Sequence, residues 1–525
     1  MPSIQELLDR EFGTIAELIA AQAQTQPKHI ALVQEDRRID FATLDVMVDR
    51  VAAALQRDGL RAGDSIAICA ANSIEYALTF LGALRAGVAV APLAPGSSLD
   101  SLLGMLTDCG AKLLFVDEAV SRNLTPASAK LQARLIGFGF APPSGQSLDA
   151  WLATEGSKPT PVSVDPDAAF NIIYSSGTTG LPKGIVQPHR MRWGHVRRGG
   201  DSGYGPESVT LVSTPMYSNT TLVSFFPGLS LGGTIVLMAK FDAGRFLHLA
   251  QREKATHAML VPVQYQRIMD HPEFDRFDLS SFRMKFCTSA PFAAELKARI
   301  LKAWPGGLVE YYGMTEGGGT CILRAHLHPE KLHTVGQPAP GHDIRLIDDA
   351  GKEVPQGQTG EVVGWSRVVM TGYHNQPGKT SEAEWFDNEG RRFIRTGDIG
   401  RFDSEGFLTL LDRKKDMIIS GGFNVYPSDL EAVLSQHPAV LEAAVVGVAS
   451  RAWGETPVAF VVCKPGQATE PAQLQAFVSE RVGKTQRLHD VRIVEALPRS
   501  PIGKVLKREL RDEYAQLPEA EALKN

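Results

Sequence analysis

The sequence has few cysteines and no closely spaced cysteine pair. Only five of its 525 residues are cysteine, and no two of them are spaced as Cys-x-x-Cys. An odd and scattered set provides neither a disulfide framework nor a zinc site, and it is typical of reduced thiols in the cytoplasm. We therefore expect a cytoplasmic protein that holds neither disulfides nor zinc.

The sequence also lacks an excess of positive charge. Its net charge of −5 excludes a general attraction to nucleic acid or to anionic membranes. A ligand that carries phosphate must therefore be held by a local site. Near the N-terminus, acidic residues stand where a signal peptide needs basic ones, so we expect no secretory signal.

No apolar run is long enough to indicate a membrane span. The most apolar region, residues 76–94, is interrupted by Gly82, Arg85 and Gly87. It predicts a buried helix, a glycine stop and a buried strand. We therefore expect no membrane span. The oligomeric state stays open, with a homodimer among the alternatives.

Short apolar runs alternate with helical patterns over most of the chain. This alternation predicts an α/β architecture with largely buried sheets. The helical segments include residues 75–87 and 294–304. The predicted strands are residues 65–70, 88–94, 112–117, 170–176, 209–215, 233–238 and 257–262.

The pattern changes after about residue 340. Residues 341–365 have the alternation and turn residues of antiparallel hairpins. A charged run at residues 412–416 then precedes a tail with the pattern of a small α+β domain. We expect a large N-terminal domain at 1–412, made of α/β subdomains and a β-rich subdomain, and a small mobile C-terminal domain at 413–525. The charged run is either a solvated turn or a hinge.

The segment YSSGTTGLPKG, residues 174–184, has almost no side chains to bury. Its glycines open backbone N–H groups to an anion, its hydroxyls add donors, and its lysine adds a positive charge. These are the properties of a phosphate-binding loop, although the spacing is not that of GxxxxGK[ST]. Taken alone, the segment is equally well a flexible connector.

Further motifs follow this segment in a fixed order. They are YYGMTE at 311–316, RTGD at 395–398, DRKKDMIISGG at 412–422 and PRSPIGKVLKREL at 498–510. Together with the first segment they resemble the motifs of the adenylate-forming superfamily over essentially the whole chain. The resemblance is to its acyl- and aryl-CoA synthetase branch, which includes 4-coumarate-CoA and feruloyl-CoA ligases and medium-chain fatty acyl-CoA synthetases.

The resemblance implies how ATP is bound. Thr315 is expected to contact phosphate, Glu316 to hold Mg²⁺ and Tyr312 to stack on adenine, while Lys183 helps to hold the β- and γ-phosphates or the leaving pyrophosphate. Asp398 is expected to accept hydrogen bonds from the ribose hydroxyls. The remaining ATP-binding residues implied are Ser175, Ser176, Gly177, Thr178, Thr179, Gly180, Ala290, Pro291, Gly313 and Arg413.

The resemblance also implies how the small domain takes part. Lys504 is expected to reach the active site and to neutralise charge as a carboxylate attacks the α-phosphate. Lys415 stands at the hinge position, and Gly421 and Gly422 would line a tunnel for a pantetheine thiol after a domain rotation. Two further cations near Lys504, namely Lys507 and Arg508, are interpreted as surface charges.

These roles imply an ATP-dependent carboxylate–CoA ligase that uses Mg²⁺ and coenzyme A. The acid would form an acyl-AMP with release of pyrophosphate, and the thiol would then displace AMP. Because the chain ends after the small domain, free coenzyme A is favoured over a carrier protein as the acceptor. A stand-alone enzyme that loads a carrier protein is the alternative. A non-catalytic nucleotide-binding protein is disfavoured, since Lys504, Glu316 and Asp398 are all present.

The acyl side departs from the family pattern. Ser218 stands where many CoA ligases of the family have a histidine, whereas the aromatic Tyr217 is kept. The residues expected to border the acyl pocket are Met216, Tyr217, Ser218, Gly317 and Cys321. Small and apolar residues favour a bulky, mostly apolar acid. The expected substrate is an aromatic acid of the hydroxycinnamate or benzoate type or a medium-chain aliphatic acid, with the aromatic type preferred.

Overall fold

The computed structural model describes residues 2–175, 183–420, 423–483, 486–500 and 503–524. The chain divides into two compact units, residues 1–343 with 364–394 and residues 344–363 with 395–525. The chain passes between the units inside three strands, Asp343–Ile347, Gly360–Trp365 and Arg392–Phe402. The hinge at 412–416 and the domain boundary there stay predictions.

The first unit contains two large sheets whose central strands are parallel. In order across the nine-stranded sheet, the strands are Gln337–Pro338, Cys321–Arg324, Gly307–Tyr312, Met284–Cys287, His257–Leu260, Val209–Val212, Thr234–Leu237, Ile30–Gln34 and Arg37–Asp40. Across the eight-stranded sheet they are Gly372–Tyr373, Lys183–Pro188, Ala169–Ser175, Ala89–Pro92, Ser65–Cys69, Leu113–Val116, Arg134–Gly137 and Gly145–Ser147. All seven strands predicted from apolar runs are confirmed.

Helices connect the strands of these sheets, as the alternating pattern predicts. The α-helices of the first unit are Ile4–Leu8, Ile15–Thr25, Phe41–Arg57, Ile74–Arg85, Leu99–Cys109, Glu118–Leu124, Leu148–Trp151, His189–Arg197, Asn219–Ser230, Ala243–Arg252, Pro262–Met269, Ala294–Ala303 and Pro377–Glu382. Within the described ranges, no helix combines the length and the apolar character needed to cross a membrane.

The apolar region at 76–94 folds as predicted. Its helix begins after Ser73, whose hydroxyl accepts a hydrogen bond from the Tyr76 N–H as an N-cap. The helix is followed by Gly87, which has a φ of +71°, and then by the buried strand Ala89–Pro92. A left-handed residue is readily supplied by glycine, so the chain can turn directly from helix to strand.

The core between the two sheets contains helix Asn219–Ser230. This helix directly follows Met216, Tyr217 and Ser218, three of the residues predicted to border the acyl pocket (the acyl motif). Phe226, on helix Asn219–Ser230, makes edge contacts with Phe80 and Phe170 at centroid distances of 5.4 and 5.0 Å. All three rings are almost fully buried. Burial of such rings is a large favourable contribution to folding, so this helix is fixed rigidly in the first unit.

The second unit contains β hairpins and a small α+β fold, as expected after residue 340. A five-stranded sheet has the order Asp343–Ile347, Gly360–Trp365, Arg392–Phe402, Glu384–Phe386, with Leu408–Arg413 also paired to Arg392–Phe402. Its strand Glu384–Phe386 belongs to the first unit. A second sheet has the order Phe423–Val425, Ile418–Ser420, Gly454–Cys463, Val440–Ser450, with Asp490–Ile493 also paired to Gly454–Cys463. Its α-helices are Pro427–Ser435, Pro471–Ser479, Lys507–Tyr514 and Pro518–Lys524.

Candidate functional site

The predicted site residues of the first unit follow the ends of parallel strands. In the nine-stranded sheet, Met216 to Ser218 come after Val209–Val212, Ala290 and Pro291 after Met284–Cys287, and Gly313 to Glu316 after Gly307–Tyr312. The carboxyl ends of parallel strands lie at one edge of a sheet, where α/β proteins bind their ligands. The topology therefore gathers three separate motifs at one edge.

The predicted phosphate loop connects two antiparallel strands of the other sheet. Ser175 and Lys183 are register partners at the ends of strands Ala169–Ser175 and Lys183–Pro188. Five of the residues assigned to this loop, Ser176, Gly177, Thr178, Thr179 and Gly180, lie outside the described residues. Ser175 and Lys183 thus mark the two points between which the loop residues must lie.

Hydrogen bonds bring the strand after this loop to the YYGMTE motif. The Nε2 atom of Gln187 donates to the carbonyl oxygen of Thr315 over 2.6 Å. Glu316 is bonded in turn to Tyr373, whose hydroxyl donates to Glu316 Oε1 over 2.9 Å. The Lys183 Nζ atom lies 4.9 Å from the centroid of the Tyr373 ring, as in a cation–π contact. Lys183, Thr315 and Glu316 are therefore gathered as the motifs predict.

Tyr373 is suited to act as a donor to this carboxylate. Burial, together with the negative charge of Glu316, raises the pKa of Tyr373 well above its ordinary value. The phenol therefore keeps its proton at any physiological pH. A protonated hydroxyl fixes the orientation of the Glu316 carboxylate.

Glu316 fits the Mg²⁺ site that the motif implies. In the part of the chain that the structure describes, Oε2 of Glu316 accepts no hydrogen bond, and no group of three or more His, Cys, Asp or Glu side chains forms a metal cage. Mg²⁺ is commonly bound by one or two carboxylates together with phosphate oxygens, so a single oriented carboxylate is the expected arrangement. The chemistry that bound Mg²⁺ supplies is neutralisation of phosphate charge.

The residues predicted for the adenine side lie at the ends of two neighbouring strands. Tyr312 is the last residue of strand Gly307–Tyr312 and is half-buried, whereas Gly313 is exposed. In the adjacent segment, Ala290 is half-buried and Pro291 is exposed, and they follow Ser289, which has a φ of +82°. A left-handed serine is uncommon. Its hydroxyl is held at 2.5 Å from the Thr220 hydroxyl, which links this turn to the acyl motif.

Among the residues predicted to border the acyl pocket, Ser218 also has a structural role. It is the N-cap of helix Asn219–Ser230, and its hydroxyl accepts a hydrogen bond from the Thr220 N–H over 3.3 Å. Met216 is fully buried, and its N–H donates to Asn72 Oδ1 over 2.7 Å. Tyr217 is half-buried, and burial raises its pKa. A serine at this position therefore begins a helix.

The other two residues predicted to border the acyl pocket, Gly317 and Cys321, follow strand Gly307–Tyr312 in the chain. Cys321 is the register partner of Tyr312, is fully buried, and has a pKa raised by that burial. Gly317 has a φ of +73°, and a Cβ atom there would lie 2.4 Å from the carbonyl oxygen of Val368. Only glycine fits at position 317 without displacing this backbone.

In the second unit, Asp398 and Arg413 form an ion pair. They are register partners, and Arg413 Nε lies 2.7 Å from Asp398 Oδ1. The Asp398 N–H donates to the Thr396 hydroxyl over 3.0 Å, and the intervening Gly397 has a φ of +69°. The RTGD segment thus places the Asp398 carboxylate beside the Arg413 guanidinium.

The predicted hinge, residues 412–416, contains a turn that is held by backbone hydrogen bonds and by an ion pair. The N–H groups of Asp416 and Met417 both donate to the Arg413 carbonyl, over 2.9 and 3.0 Å. Asp416 is also paired with Arg511 at 2.5 Å. Lys415 lies in this turn, and burial lowers its pKa. The two tunnel residues Gly421 and Gly422 lie outside the described residues.

Lys504 is exposed in the second unit. Its N–H donates to the Ser500 hydroxyl over 3.1 Å, and its carbonyl accepts from the Ser500 N–H over 2.8 Å. The interpretation of Lys507 as a surface charge is wrong. Its side chain is 17% exposed and pairs with Glu431 at 2.9 Å, because its helix packs that position inward. Arg508 is exposed as expected.

Three contacting residues were missed by sequence reasoning, namely Tyr373, Gln187 and Asn219. Asn219 Oδ1 accepts from Gln187 Nε2 over 3.2 Å, so these side chains connect the acyl motif to Thr315. Tyr373 is 57 residues from Glu316, and Gln187 is 128 residues from Thr315. Contacts between residues so far apart in the chain cannot be predicted from the pattern of a single strand. A polar glutamine within strand Lys183–Pro188 did indicate a buried hydrogen bond, because a buried polar group needs a partner.

Comparisons with known proteins agree with this arrangement. Residues 19–374 match the family model of AMP-binding enzymes, and residues 429–504 match that of the AMP-binding enzyme C-terminal domain. The chain is 33% identical over 503 residues to feruloyl-CoA synthase of an Amycolatopsis species, with 94% of this chain and 97% of that protein covered. It is 31% identical over 519 residues to the fatty acid–[acyl-carrier-protein] ligase ScoC of Streptomyces coeruleorubidus, with 96% and 97% covered.

A solved structure shows the same fold. ATP-bound MatB from Rhodopseudomonas palustris superposes with a TM-score of 0.86 at 29% identity, with 95% of this chain and 99% of that chain covered. The CoA ligases of this family use ATP, Mg²⁺ and coenzyme A. The chain belongs to the AMP-binding enzyme family, in its adenylate-forming acyl-CoA synthetase branch, and is an AMP-forming acid–thiol ligase.

Proposed function

We propose that the chain joins an aromatic carboxylic acid of the hydroxycinnamate or benzoate type to coenzyme A. The carboxylate attacks the α-phosphate of ATP, so that a C–O–P bond forms and pyrophosphate leaves. The thiol of coenzyme A then attacks the carbonyl carbon of the acyl-AMP, a thioester forms, and AMP leaves. A cytoplasmic location remains a prediction, and the oligomeric state stays open.

The proposed roles in the first unit follow from the contacts around Glu316. Tyr373 orients the Glu316 carboxylate toward the metal, and Gln187 fixes the Thr315 carbonyl so that the Thr315 hydroxyl can meet phosphate. Lys183 supplies a positive charge next to the Tyr373 ring. These residues bind and orient the nucleotide, and positioning together with charge stabilisation is the main source of catalysis in phosphoryl and nucleotidyl transfer.

The proposed roles in the second unit concern ribose and the developing charge. Asp398, held by Arg413, accepts hydrogen bonds from the ribose hydroxyls. Lys504 stabilises the negative charge that develops as the carboxylate attacks. Lys415 is the residue about which the second unit turns between the two half-reactions. Gly421 and Gly422 then line the path of the thiol.

One observation carries the preference for an aromatic acid, namely a cluster of four neighbouring rings. Tyr204 lies 4.8 Å from His257 and 5.8 Å from Phe286, and Phe286 lies 5.8 Å from Tyr311, measured between ring centroids. Val223 and Ile322 pack against this aromatic cluster. Flat rings favour flat ligands, because offset and edge contacts between aromatic groups add to the apolar area buried.

The aromatic cluster is joined by a hydrogen bond to the helix that follows the acyl motif. The Tyr204 hydroxyl lies 2.8 Å from the hydroxyl of Ser224, on the helix that Ser218 caps. Tyr311 precedes Tyr312, and its hydroxyl lies 3.3 Å from the Ser202 hydroxyl. The cluster therefore combines an apolar body with hydroxyl groups. That combination suits an aromatic ring with a polar substituent better than it suits an unbranched alkyl chain.

Coenzyme A is the proposed acceptor, and a carrier protein is the alternative. Glu455, on strand Gly454–Cys463, accepts a hydrogen bond from the Ile419 N–H over 2.9 Å. This bond fixes the strand that leads to the predicted tunnel residues 421 and 422. The similarity to a fatty acid–carrier-protein ligase supports the alternative acceptor and a medium-chain acid.

A thioester-formation screen tests the proposal. Hydroxycinnamates, benzoates and C6 to C12 fatty acids are offered with ATP and Mg²⁺, and each is paired in turn with coenzyme A and with a holo-carrier protein. We expect an aromatic acyl-CoA to form with the highest kcat/KM. Faster transfer of a fatty acid, or transfer to the carrier protein alone, would overturn the corresponding half of the proposal.

A further inference from the structure

A fully buried arginine lies between the two substrate sides of the first unit. Arg192, on helix His189–Arg197, has no exposed surface. Its Nη2 atom donates to Asn219 Oδ1 over 2.8 Å and to Gln187 Oε1, and its Nε atom donates to Asn171 Oδ1 over 3.3 Å. Its guanidinium lies 5.8 Å from the centroid of Phe170.

This cation has no acidic partner among the described residues. Its acceptors are the neutral amides of Asn171, Gln187 and Asn219, and its Nη1 atom is buried without a hydrogen bond. Burial lowers the pKa of Arg192 to about 9, which leaves it charged at neutral pH. A buried charge paired only with dipoles is expensive, so stability alone does not explain its presence.

The three amides stand where the substrates are expected to bind. Asn171 and Gln187 are register partners on the two strands that flank residues 176–182. Asn219 is the first residue of the helix that follows the acyl motif. Because Gln187 Oε1 accepts from Arg192, its Nε2 atom must face Thr315 O, which it meets at 2.6 Å. Arg192 thus fixes the amide orientation that holds Thr315.

We infer that Arg192 is a positioning residue that couples the ATP side to the acid side during adenylation. It holds the strands around the phosphate loop, the backbone of Thr315 and the start of the acyl helix in one hydrogen-bond network. The inference rests on the proposed function, since it assumes that acyl-AMP forms at this site. Arg192 acts through Gln187 and Asn219 and is not placed in contact with substrate.

The test is a double-mutant cycle with Arg192→Met and Gln187→Leu, measured as acid-dependent exchange of pyrophosphate into ATP. Misplacement of a reacting group by about 1 Å costs up to about 100-fold in rate, so we expect each single variant to lower kcat/KM by roughly 10- to 100-fold. The double variant should be no worse than the more impaired single variant, because both substitutions break one network. Additive losses, or an Arg192→Met enzyme that exchanges like the wild type, would overturn the inference.

Lys285→Met is the matched control for a purely structural effect. Lys285 is also a fully buried cation, and it too has neutral acceptors, namely the carbonyls of Trp304, Pro305 and Gly306. We expect Lys285→Met to change the unfolding temperature without changing KM for ATP or for the acid. An equal kinetic loss in Lys285→Met would show that Arg192 acts through stability alone.

Two outcomes are kept apart by the design. If the wild type exchanges no pyrophosphate with any acid, the proposed function fails, and the role of Arg192 falls with it. If the wild type exchanges but Arg192→Met does not fold, Gln187→Leu and Arg192→Lys decide. Lysine keeps the charge but not the planar set of donors, so we expect Arg192→Lys to fold and to show the same kinetic loss as Gln187→Leu. Wild-type kinetics in either variant would contradict the inference.

Discussion

Removing one hydroxyl group at Tyr373 tests how the metal-binding carboxylate is held. In Tyr373→Phe the ring stays beside Lys183, so that the cation–π contact at 4.9 Å is kept. What is lost is the 2.9 Å hydrogen bond to Glu316 Oε1. A hydrogen bond to a charged group contributes about 1.5–3 kcal/mol, which corresponds to roughly 10- to 150-fold in an equilibrium or rate constant.

The direction of the effect follows from what the bond does. Without it, the Glu316 carboxylate can rotate, and ordering it for Mg²⁺ costs free energy that the wild type does not pay. We therefore expect a higher Mg²⁺ concentration at half-maximal pyrophosphate exchange and a lower kcat/KM for ATP, with losses of about 10- to 100-fold as for other residues that orient metal ligands.

A matched control removes a different buried tyrosine hydroxyl. Tyr265 is fully buried, and its hydroxyl donates to the Phe286 carbonyl over 2.9 Å. Tyr265→Phe should lower the unfolding temperature and leave the Mg²⁺ dependence as it is. If Tyr373→Phe is folded and shows the Mg²⁺ dependence of the wild type within about twofold, the proposed orienting role of Tyr373 is refuted.

Three other predictions concern the second unit and the response to acid. Lys504→Ala should abolish adenylation yet still convert supplied acyl-AMP and coenzyme A to thioester, measured separately by stopped assays; equal losses in both steps would contradict its role. Lys415→Pro should impair the thioester step more than adenylation, because proline fixes φ in the turn while no described hydrogen bond uses the Lys415 N–H. Burial lowers the pKa of His257 from 6.5 to about 4, so between these values the unfolded chain binds a proton that the native chain does not. The free energy of unfolding should therefore fall by up to about 3 kcal/mol as the pH falls from 6.5 toward 4. Urea unfolding of His257→Gln should show a smaller decrease over the same pH range. A decrease equal to that of the wild type would contradict the assignment to His257.

The strands and the order of motifs were predictable because each depends only on residues that are close together in the sequence. Buried parallel strands are continuous apolar runs, and runs such as 209–215 and 257–262 need no knowledge of their partners. The order of strands in a sheet depends on partners distant in the chain. The return of residues 364–394 to the first unit is such a nonlocal feature, and no local pattern predicts it.

Two site features were readable in the sequence by a different argument. Ser218 precedes a helical pattern, and serine is a common N-cap, so its capping bond to Thr220 could have been predicted. In helix His189–Arg197 four of the five buried residues, His189, Arg192, Trp193 and Val196, are spaced as one helical face. That spacing places an arginine on the buried face, which is the signal that points to the network around Gln187.

The bond between Tyr373 and Glu316 was not predictable in this way. Tyr373 lies on a two-residue strand that pairs with the strand of Lys183. Such a short strand has no periodicity, and its position depends on the sheet it joins. A tertiary contact of this kind appears only when the fold is known.

Acid-dependent exchange of labelled pyrophosphate into ATP tests the central claim most directly, because it reports acyl-AMP formation without a thiol. With Mg²⁺ present, we expect rapid exchange with hydroxycinnamates or benzoates, slower exchange with fatty acids of equal carbon number, and none without an acid. No exchange with any carboxylic acid, or exchange that does not require an acid, would contradict the account.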